Sequence, residues 1–203
     1  MPSALLIATT NPGKLAELQA LLSRSGAVLT DLRQTGIDLS VPEEGGDYAE
    51  NALAKALAYA QASGLWTLAD DTGLEVDALG GAPGLRSARL AEDDAARRAS
   101  LLERLAKHPR PWTARFRCAV VLASPTGERA FGDGICYGEI IPDARGENGF
   151  GYDPLFVVAG TGQTMAELPF EVKNRLGHRA GAVNHLLARL RRGALPTAPL
   201  LAE

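Results

Sequence analysis

The first 26 residues place a polar loop between a short apolar run and a leucine-rich segment, and this order constrains the fold. Ala4 to Ala8 is apolar throughout, which is typical of a buried strand. A turn-rich loop runs from Thr9 to Gly13, and leucines then recur at helical spacing from Lys14 to Ser25. A strand, a loop and a helix in this order are typical of α/β proteins, in which helices pack on a sheet.

The rest of the chain alternates in the same way, except for one pair of neighbouring strands. The alanine-rich segment from Tyr48 to Ser63 predicts a helix, as does the segment from Asp93 to Lys107. Two further runs, Thr113 to Ser124 and Glu128 to Tyr137, are separated by a short Pro-Thr-Gly turn and predict a hairpin. Because a hairpin joins antiparallel strands, we expect an α/β fold with a mixed twisted sheet and flanking helices.

Chain length sets the expected number of domains. With 203 residues, the chain is as long as one domain, and we expect a single domain over 1–203. The ordered core is predicted over about 4–192. The segment from Ala194 to Glu203 contains two prolines and is predicted to be a frayed C-terminal tail.

Composition and charge exclude several classes of protein. The net charge of −3 argues against a protein that coats nucleic acid, since such proteins are usually basic. No apolar run reaches the roughly 18–20 residues that span a bilayer, and no basic residues precede the first apolar run as in a signal peptide. Cys118 and Cys136 fall nearly opposite each other in the predicted hairpin, where a bridge is geometrically allowed. We interpret them instead as packing residues of a reduced, cytoplasmic protein.

The loop before the first helix is a candidate anion site. It contains Thr9, Thr10, Asn11, Pro12 and Gly13, and Lys14 follows it. Backbone amides at a helix N-terminus bind anions, and the lysine adds a positive charge at the same place. The glycine spacing differs from that of the P-loop, which needs more residues before its lysine. A plain turn with a solvated lysine is the alternative interpretation of this segment.

Two pairs of carboxylates, Glu43-Glu44 and Asp70-Asp71, stand at predicted loop or strand ends. Mg²⁺ takes oxygen ligands and usually keeps substrate phosphates and waters among them, so these pairs are candidate ligands. Neighbouring residues of an extended segment point to opposite faces, so we expect Asp70 and Asp71 to differ in role. Solvated surface acids are the alternative, which is weaker for Asp70 and Asp71 because they directly follow the apolar run 65–69.

Later in the chain, aromatic and basic residues suit a purine base. Phe150 begins a glycine-containing turn that ends at Asp153, and its ring can stack on a nucleobase. Lys173, His178 and Arg179 supply donors for a carbonyl group on the purine edge. The alternatives are an aromatic core residue at a tight turn and, for His178 and Arg179, structural or surface positions at the start of the last helix.

In combination, these segments resemble the motifs of the inosine triphosphate pyrophosphatase family. The resemblance runs in family order over about residues 4–192, and the motifs are jointly specific. The matching segments are Thr9 to Lys14 with Glu17, Glu43-Glu44, Glu50-Asn51-Ala52 with Lys55, Ala69 to Leu74, Gly80 to Gly84, Ser87-Ala88-Arg89, Gly149 to Pro154, Ala166-Glu167-Leu168, Lys173 and His178-Arg179.

The resemblance implies both a fold and an activity. The implied fold is an elongated, two-lobed α/β domain with a central cleft. The implied activity is the Mg²⁺-dependent hydrolysis of ITP, dITP and XTP to the monophosphate and pyrophosphate, which removes these nucleotides from the pool. The resemblance also implies a homodimer, and we expect neither a nucleic-acid nor a membrane partner.

Individual roles are implied by position within the matching motifs. Asp71 resembles the proton acceptor and a metal-linked aspartate, and Glu43 resembles a metal ligand, with Glu44 as the alternative. Thr72 stands where bacterial relatives often have serine, and its hydroxyl implies a substrate contact. The triphosphate is implied to contact Thr9, Thr10, Asn11, Pro12, Gly13, Lys14 and Lys55. The base is implied to contact Phe150, Gly151, Tyr152, Asp153, Lys173, His178 and Arg179.

Two other functions remain open at this point. One is a Maf-like pyrophosphatase that acts on modified pyrimidine or 7-methylguanine triphosphates. The other is a nucleotide-binding module without catalysis, although the carboxylates Glu43 and Asp71 argue against it. Pyrophosphate release from a panel of nucleotides distinguishes these functions.

Overall fold

A computed structural model describes residues 4–195 and 198–201 of the chain. The strands in this part are β1 (Ala4–Ile7), β2 (Val28–Asp31), β3 (Trp66–Val76), β4 (Pro83–Gly84), β5 (Trp112–Ala123), β6 (Arg129–Ile140) and β7 (Phe156–Val158). The helices are α1 (Pro12–Leu22), α2 (Leu32–Thr35), α3 (Tyr48–Ser63), α4 (Asp94–Leu105), α5 (Phe170–Leu176) and α6 (His178–Arg191). No helix among these residues is both long and apolar enough to cross a membrane.

The strands form one mixed sheet in the order β2-β1-β3-β5-β6-β7, with β4 paired to β3. Strand β1 runs parallel to both β2 and β3. Strand β4 runs antiparallel to β3, and β7 runs antiparallel to β6. The predicted α/β class with a mixed sheet and flanking helices is confirmed.

The chain divides into two compact units, and β3, β5 and β6 contribute residues to both. The first unit contains the described residues up to 71, 118–134 and those from 179 onward. Its core packs leucines of α1 and α6 around β1, and a second cluster packs alanines of α3 against Leu6 and Val121. The second unit contains 72–117 and 135–178, and its core includes Leu74, Leu101 and Phe156.

Helix α3 begins and ends at residues suited to those positions. The Asp47 carboxylate accepts a hydrogen bond from the Glu50 amide at the N-terminus, and Gly64 ends the helix in the left-handed conformation at φ 70°. Ala52, Ala56 and Ala60 are fully buried on the inner face. The predicted bounds are confirmed, and the helix carries Asn51 and Lys55 one turn apart.

Strand β3 is longer than the sequence suggests. The apolar run predicts a strand that stops at Ala69, whereas β3 continues to Val76 through Asp70 and Asp71. Side chains of the first unit form ion pairs or hydrogen bonds with both carboxylates. These contacts offset the cost of burying two acidic residues in a strand. The short helices α2 and α5 were not predicted either.

The C-terminal segment departs from its expected fraying. Leu195, Ala198 and Leu200 are buried among the leucines of the first unit, so this part of the tail prediction is wrong. Residues 196, 197, 202 and 203 of the predicted tail lie outside the described residues. Both cysteines are free and buried, as their interpretation as packing residues requires.

Candidate active site

The loop between β1 and α1 is fixed by its own side chains and directs a lysine toward β3. The Asn11 side chain accepts a hydrogen bond from the Lys14 amide at 3.0 Å, and the Thr9 hydroxyl accepts one from the Asn11 amide at 3.2 Å. Pro12 occupies the first helical position, where no amide hydrogen is needed. The Lys14 ammonium nitrogen lies 3.1 Å from Oδ2 of Asp70.

Asp70 is the centre of a buried charge cluster. Its side chain is 1% exposed, and its Oδ2 accepts hydrogen bonds from Nε and Nη2 of Arg179 at 3.2 and 3.1 Å. Nη1 of Arg179 donates to Glu17, which is also buried. Burial by itself raises the pKa of Asp70, but the positive charges of Lys14, Arg179 and Lys55 outweigh burial and hold the pKa well below its usual range. Asp70 is therefore ionised at neutral pH.

Lys55 connects α3 to the carboxylates. Its ammonium nitrogen lies 2.5 Å from Oε1 of Glu43 and 2.7 Å from the carbonyl oxygen of Asp70. Burial lowers the pKa of Lys55, but attraction to Asp70, Glu43 and Asp71 outweighs burial and raises it. Glu44, in contrast, is exposed, so the contact with Lys55 favours Glu43 over Glu44 as the residue that belongs to the site.

Asp71 lies beside Asn51 in the same unit. Its Oδ2 accepts a hydrogen bond from the Asn51 side-chain amide at 2.9 Å, and Oδ1 of Asn51 accepts one from the Gly45 amide at 2.7 Å. A Cβ atom at Gly45 would lie 2.8 Å from that oxygen, so glycine allows the loop that carries Glu43 to approach α3. Burial raises the pKa of Asp71 although Lys55 and Asn51 oppose the shift, which makes this carboxylate a stronger base than usual.

The first unit offers oxygen ligands for a magnesium ion. The charges of Glu43 and Asp71 both raise the pKa of Lys55. Carboxylate oxygens such as theirs are the ligands that Mg²⁺ prefers. Among the described residues, no three His, Cys, Asp or Glu side chains are grouped closely enough to hold a metal ion by themselves. This donor set fits an ion that takes its remaining ligands from substrate phosphates and water, as Mg²⁺ commonly does.

A second group of predicted site residues comes together in the second unit. Oδ2 of Asp153 accepts hydrogen bonds from the Phe150 amide at 2.9 Å and from the Lys173 ammonium at 2.5 Å. The same ammonium lies 4.7 Å from the centre of the Phe150 ring. Lys173 is only 5% exposed, so its position relative to the ring is fixed.

Tyr152 and His178 are held within the core of the second unit. The Tyr152 hydroxyl donates to the carbonyl of Ser87 at 2.8 Å, and burial raises the pKa of Tyr152 to about 12. The imidazole of His178 stacks on Phe116 with 4.7 Å between ring centres. Thr72 also belongs to this unit and is half-buried in β3.

Arg179, which the family resemblance assigns to the base, has its guanidinium bound to two buried carboxylates. It belongs to the first unit, where its guanidinium binds Glu17 and Asp70, whereas Phe150 and Lys173 belong to the second. Glu17 and Asn51 match the family motifs but have no individual role predicted from the sequence, and Asp70 is predicted only as a candidate metal ligand. Glu17 follows Lys14 by three residues and Asn51 precedes Lys55 by four, and these helical spacings were the available signal.

Comparisons with known proteins show which family and which solved structures the chain resembles. A model described as the Ham1 family matches residues 5–189. A dITP/XTP pyrophosphatase of Desulforamulus reducens is 45% identical over 192 residues, which cover 93% of this chain and 96% of that protein. A dITP/XTP pyrophosphatase of Bacillus subtilis is 42% identical over 187 residues, covering 89% of this chain and 93% of that protein.

A solved structure of a HAM1 protein from Coxiella burnetii has a similar fold. Its TM-score is 0.83 at 36% sequence identity, and the match covers 94% of this chain and 99% of that chain. The similarity therefore extends over nearly the full length of both proteins.

Proposed function

Because the chain belongs to the Ham1 family, we propose that it is a Mg²⁺-dependent pyrophosphatase that hydrolyses dITP, XTP and ITP to the monophosphate and pyrophosphate. The observation that carries this proposal is the cluster of Lys14 and Lys55 with the carboxylates of Glu43, Asp70 and Asp71 in one unit. Two cations beside oxygen ligands suit a triphosphate with its metal ion. The relatives named dITP/XTP pyrophosphatase supply the substrate class.

We propose that Asp71 accepts the proton of the attacking water. Its pKa is raised by burial, and the Asn51 amide orients the carboxylate through a hydrogen bond to Oδ2. Glu43 and Asp71 would hold Mg²⁺, which when bound neutralises the charge that develops on the leaving pyrophosphate. Water then attacks the α-phosphorus in line with the leaving group.

Lys14 and Lys55 are proposed to bind phosphate oxygens, together with the loop from Thr9 to Gly13. Both ammonium groups already face the backbone or side chain of Asp70. Arg179 keeps Asp70 charged and oriented, and we propose that it also acts as a positioning residue through that carboxylate. Preorganised charges of this kind stabilise a transition state without rearrangement during the reaction.

The residues of the second unit are proposed to select the base. Phe150 stacks on the purine, and Lys173, His178 and the turn through Gly151, Tyr152 and Asp153 set the hydrogen-bonding edge, with Thr72 as a further substrate contact. Hypoxanthine and xanthine carry a carbonyl at position 6, where adenine carries an amino group. Donors directed at that position therefore accept ITP and XTP and reject ATP, because two donors would face each other.

Pyrophosphate release from a nucleotide panel tests the proposal. The protein is incubated with dITP, XTP, ITP and dATP, with and without Mg²⁺, and pyrophosphate and orthophosphate are measured separately. We expect pyrophosphate only with Mg²⁺ and a marked preference for dITP over dATP. Equal rates on dITP and dATP would contradict the substrate class, and orthophosphate as the product would contradict the reaction. Modified pyrimidine and 7-methylguanine triphosphates test the Maf-like alternative in the same assay.

We further propose a cytoplasmic homodimer, on the family resemblance alone. Sedimentation equilibrium of the full chain tests the dimer, for which twice the monomer mass of 21.4 kDa is expected. A single species at the monomer mass over the accessible concentration range would contradict it.

A further inference from the structure

Two side chains of helix α4 form hydrogen bonds with the amide and the carbonyl group of Gly151, the residue that follows Phe150. Oδ2 of Asp94 accepts a hydrogen bond from the Gly151 amide at 2.7 Å. Nη1 of Arg98 donates a hydrogen bond to the Gly151 carbonyl at 2.8 Å. These two side chains stand four residues apart, on one face of α4, and reach a residue more than fifty positions along the chain.

Helix α4 is held in place by buried side chains and by a capped N-terminus. Leu101 and Leu105 of α4 are fully buried in the core of the second unit, and the Asp93 side chain accepts a hydrogen bond from the Ala96 amide at the helix start. The second oxygen of Asp94 accepts a hydrogen bond from Arg97. Arg97 therefore holds the Asp94 carboxylate in the orientation in which its other oxygen binds the Gly151 amide.

Gly151 directly follows Phe150 and has a backbone conformation that glycine adopts more readily than other residues. Its φ is +62°, in the left-handed region, and its nitrogen is bonded to the carbonyl carbon of Phe150. On the opposite side of the turn, Asp153 binds the Phe150 amide. The aromatic residue is therefore fixed from within the turn by Asp153 and from α4 by Asp94 and Arg98.

We propose that Asp94 and Arg98 are positioning residues that set nucleobase selectivity by holding the Phe150 turn. The inference rests on the proposed role of Phe150 as the stacking residue and extends that role to a helix with no assigned function. Stacking on a fixed ring sets the plane in which the base meets the donors of Lys173 and His178, and those donors are the groups proposed to distinguish a 6-carbonyl from a 6-amino group. Release of the turn therefore misaligns the base with these donors and weakens base discrimination, whereas the phosphate-binding residues of the first unit are unchanged.

Substrate selectivity of four variants tests this inference. Asp94→Ala and Arg98→Met each remove one contact, Arg98→Lys keeps a donor, and Glu103→Ala is the matched control on an exposed position of the same helix. We expect the two contact variants to lower the ratio of kcat/KM for dITP to that for dATP by about tenfold, through a higher KM for dITP with kcat little changed. In Arg98→Lys this ratio should stay close to that of the unmodified protein, and in Glu103→Ala it should be unchanged.

A second comparison separates positioning from general stability. In a Phe150→Ala background, Asp94→Ala should cause no further loss of selectivity, because both changes act through the same ring. An unchanged ratio in the contact variants, or an equal loss with and without Phe150, would overturn the inference, and thermal unfolding checks that each variant is folded. Absence of any dITP preference in the unmodified protein would instead overturn the proposed function.

Discussion

The ammonium nitrogen of Lys14 lies 3.1 Å from Oδ2 of Asp70, and this contact ties the first turn of α1 to strand β3. Arg179 from α6 donates two hydrogen bonds to the same oxygen. Three elements that are distant in sequence therefore meet at one buried carboxylate. Asp70 organises the cations of the site, whereas its neighbour Asp71 pairs with Asn51 and carries the proposed chemistry.

Loss of the Arg179 guanidinium should strongly destabilise the protein. Arg179→Met removes the guanidinium that binds both Glu17 and Asp70, and breaking a buried ion pair in this way costs about 3–5 kcal/mol. Urea unfolding monitored by circular dichroism measures the change. Arg189→Met is the matched control, because Arg189 is exposed on the same helix and should lose less than about 1 kcal/mol. An equal decrease in the free energy of unfolding in the two variants would show that the buried ion pairs of Arg179 do not stabilise the protein.

Asp71→Asn should abolish most turnover without unfolding the protein. The amide is close in size to the carboxylate but accepts no proton, and a general base contributes about 10²–10⁴-fold to a rate. We expect kcat for dITP to fall by at least about 10²-fold, with a thermal midpoint within a few degrees of the unmodified protein. Near-normal turnover in this variant would remove Asp71 from the catalytic role.

Glu43 and Glu44 should differ sharply although they are neighbours. Glu43 contacts Lys55 and lies by the proposed metal position, whereas Glu44 is exposed. Glu43→Gln should raise the Mg²⁺ concentration required for half-maximal activity by about 10–100-fold, and Glu44→Gln should leave it unchanged. A Mg²⁺ titration of activity at fixed dITP measures both. The reverse order would reassign the metal ligand to Glu44.

The elements with regular periodicity could be predicted from the sequence, and those held by tertiary contacts could not. Helix α3 has an alanine stripe between a capping aspartate and a terminal glycine, so both of its bounds could be read from local chemistry. The continuation of β3 through Asp70 and Asp71 could not, because two adjacent acids disfavour a buried strand until Lys14, Arg179 and Asn51 supply partners from other elements. Such partners are invisible to a local pattern.

Some residues of the candidate site could likewise be predicted from the sequence, and others could not because their partners are distant in the chain. Lys14, Lys55, Glu43 and the Asp70-Asp71 pair stand out by residue type and by family resemblance, and the structure brings them together in one unit. The position of Arg179 could not be anticipated, because nothing near it in sequence reveals that Glu17, 162 residues away, is its partner. The hydrogen bond between Asp94 and the Gly151 amide also joins residues far apart in sequence, and the local sequence indicates only an acidic residue in the first turn of a helix.

Acid should destabilise the protein in part through Asp70. The pKa of this carboxyl lies below its ordinary value of 3.8 in the folded protein, so its contribution to stability is present above that value and is lost as the pH falls below it. The difference in unfolding free energy between the unmodified protein and Asp70→Asn should therefore shrink steadily as the pH falls from about 5 to about 2. Urea unfolding at several pH values measures this difference. A difference that is constant over this range would mean that Asp70 titrates normally in the folded state.

Gly132 of β6 should not tolerate even a methyl group, because α6 lies directly against it. A Cβ atom there would lie 2.2 Å from the Ala182 carbonyl oxygen and 2.7 Å from the Leu186 amide nitrogen, which are backbone atoms that move only if the helix shifts. Gly132→Ala should lower the free energy of unfolding by about 1–3 kcal/mol or more, as overpacking of a core does. In Gly46→Ala, the new Cβ would meet the end of the Glu50 side chain at an ordinary 3.5 Å, so this variant is the control. Urea midpoints that fall equally in the two variants, or in neither, would contradict the close approach of α6 to β6.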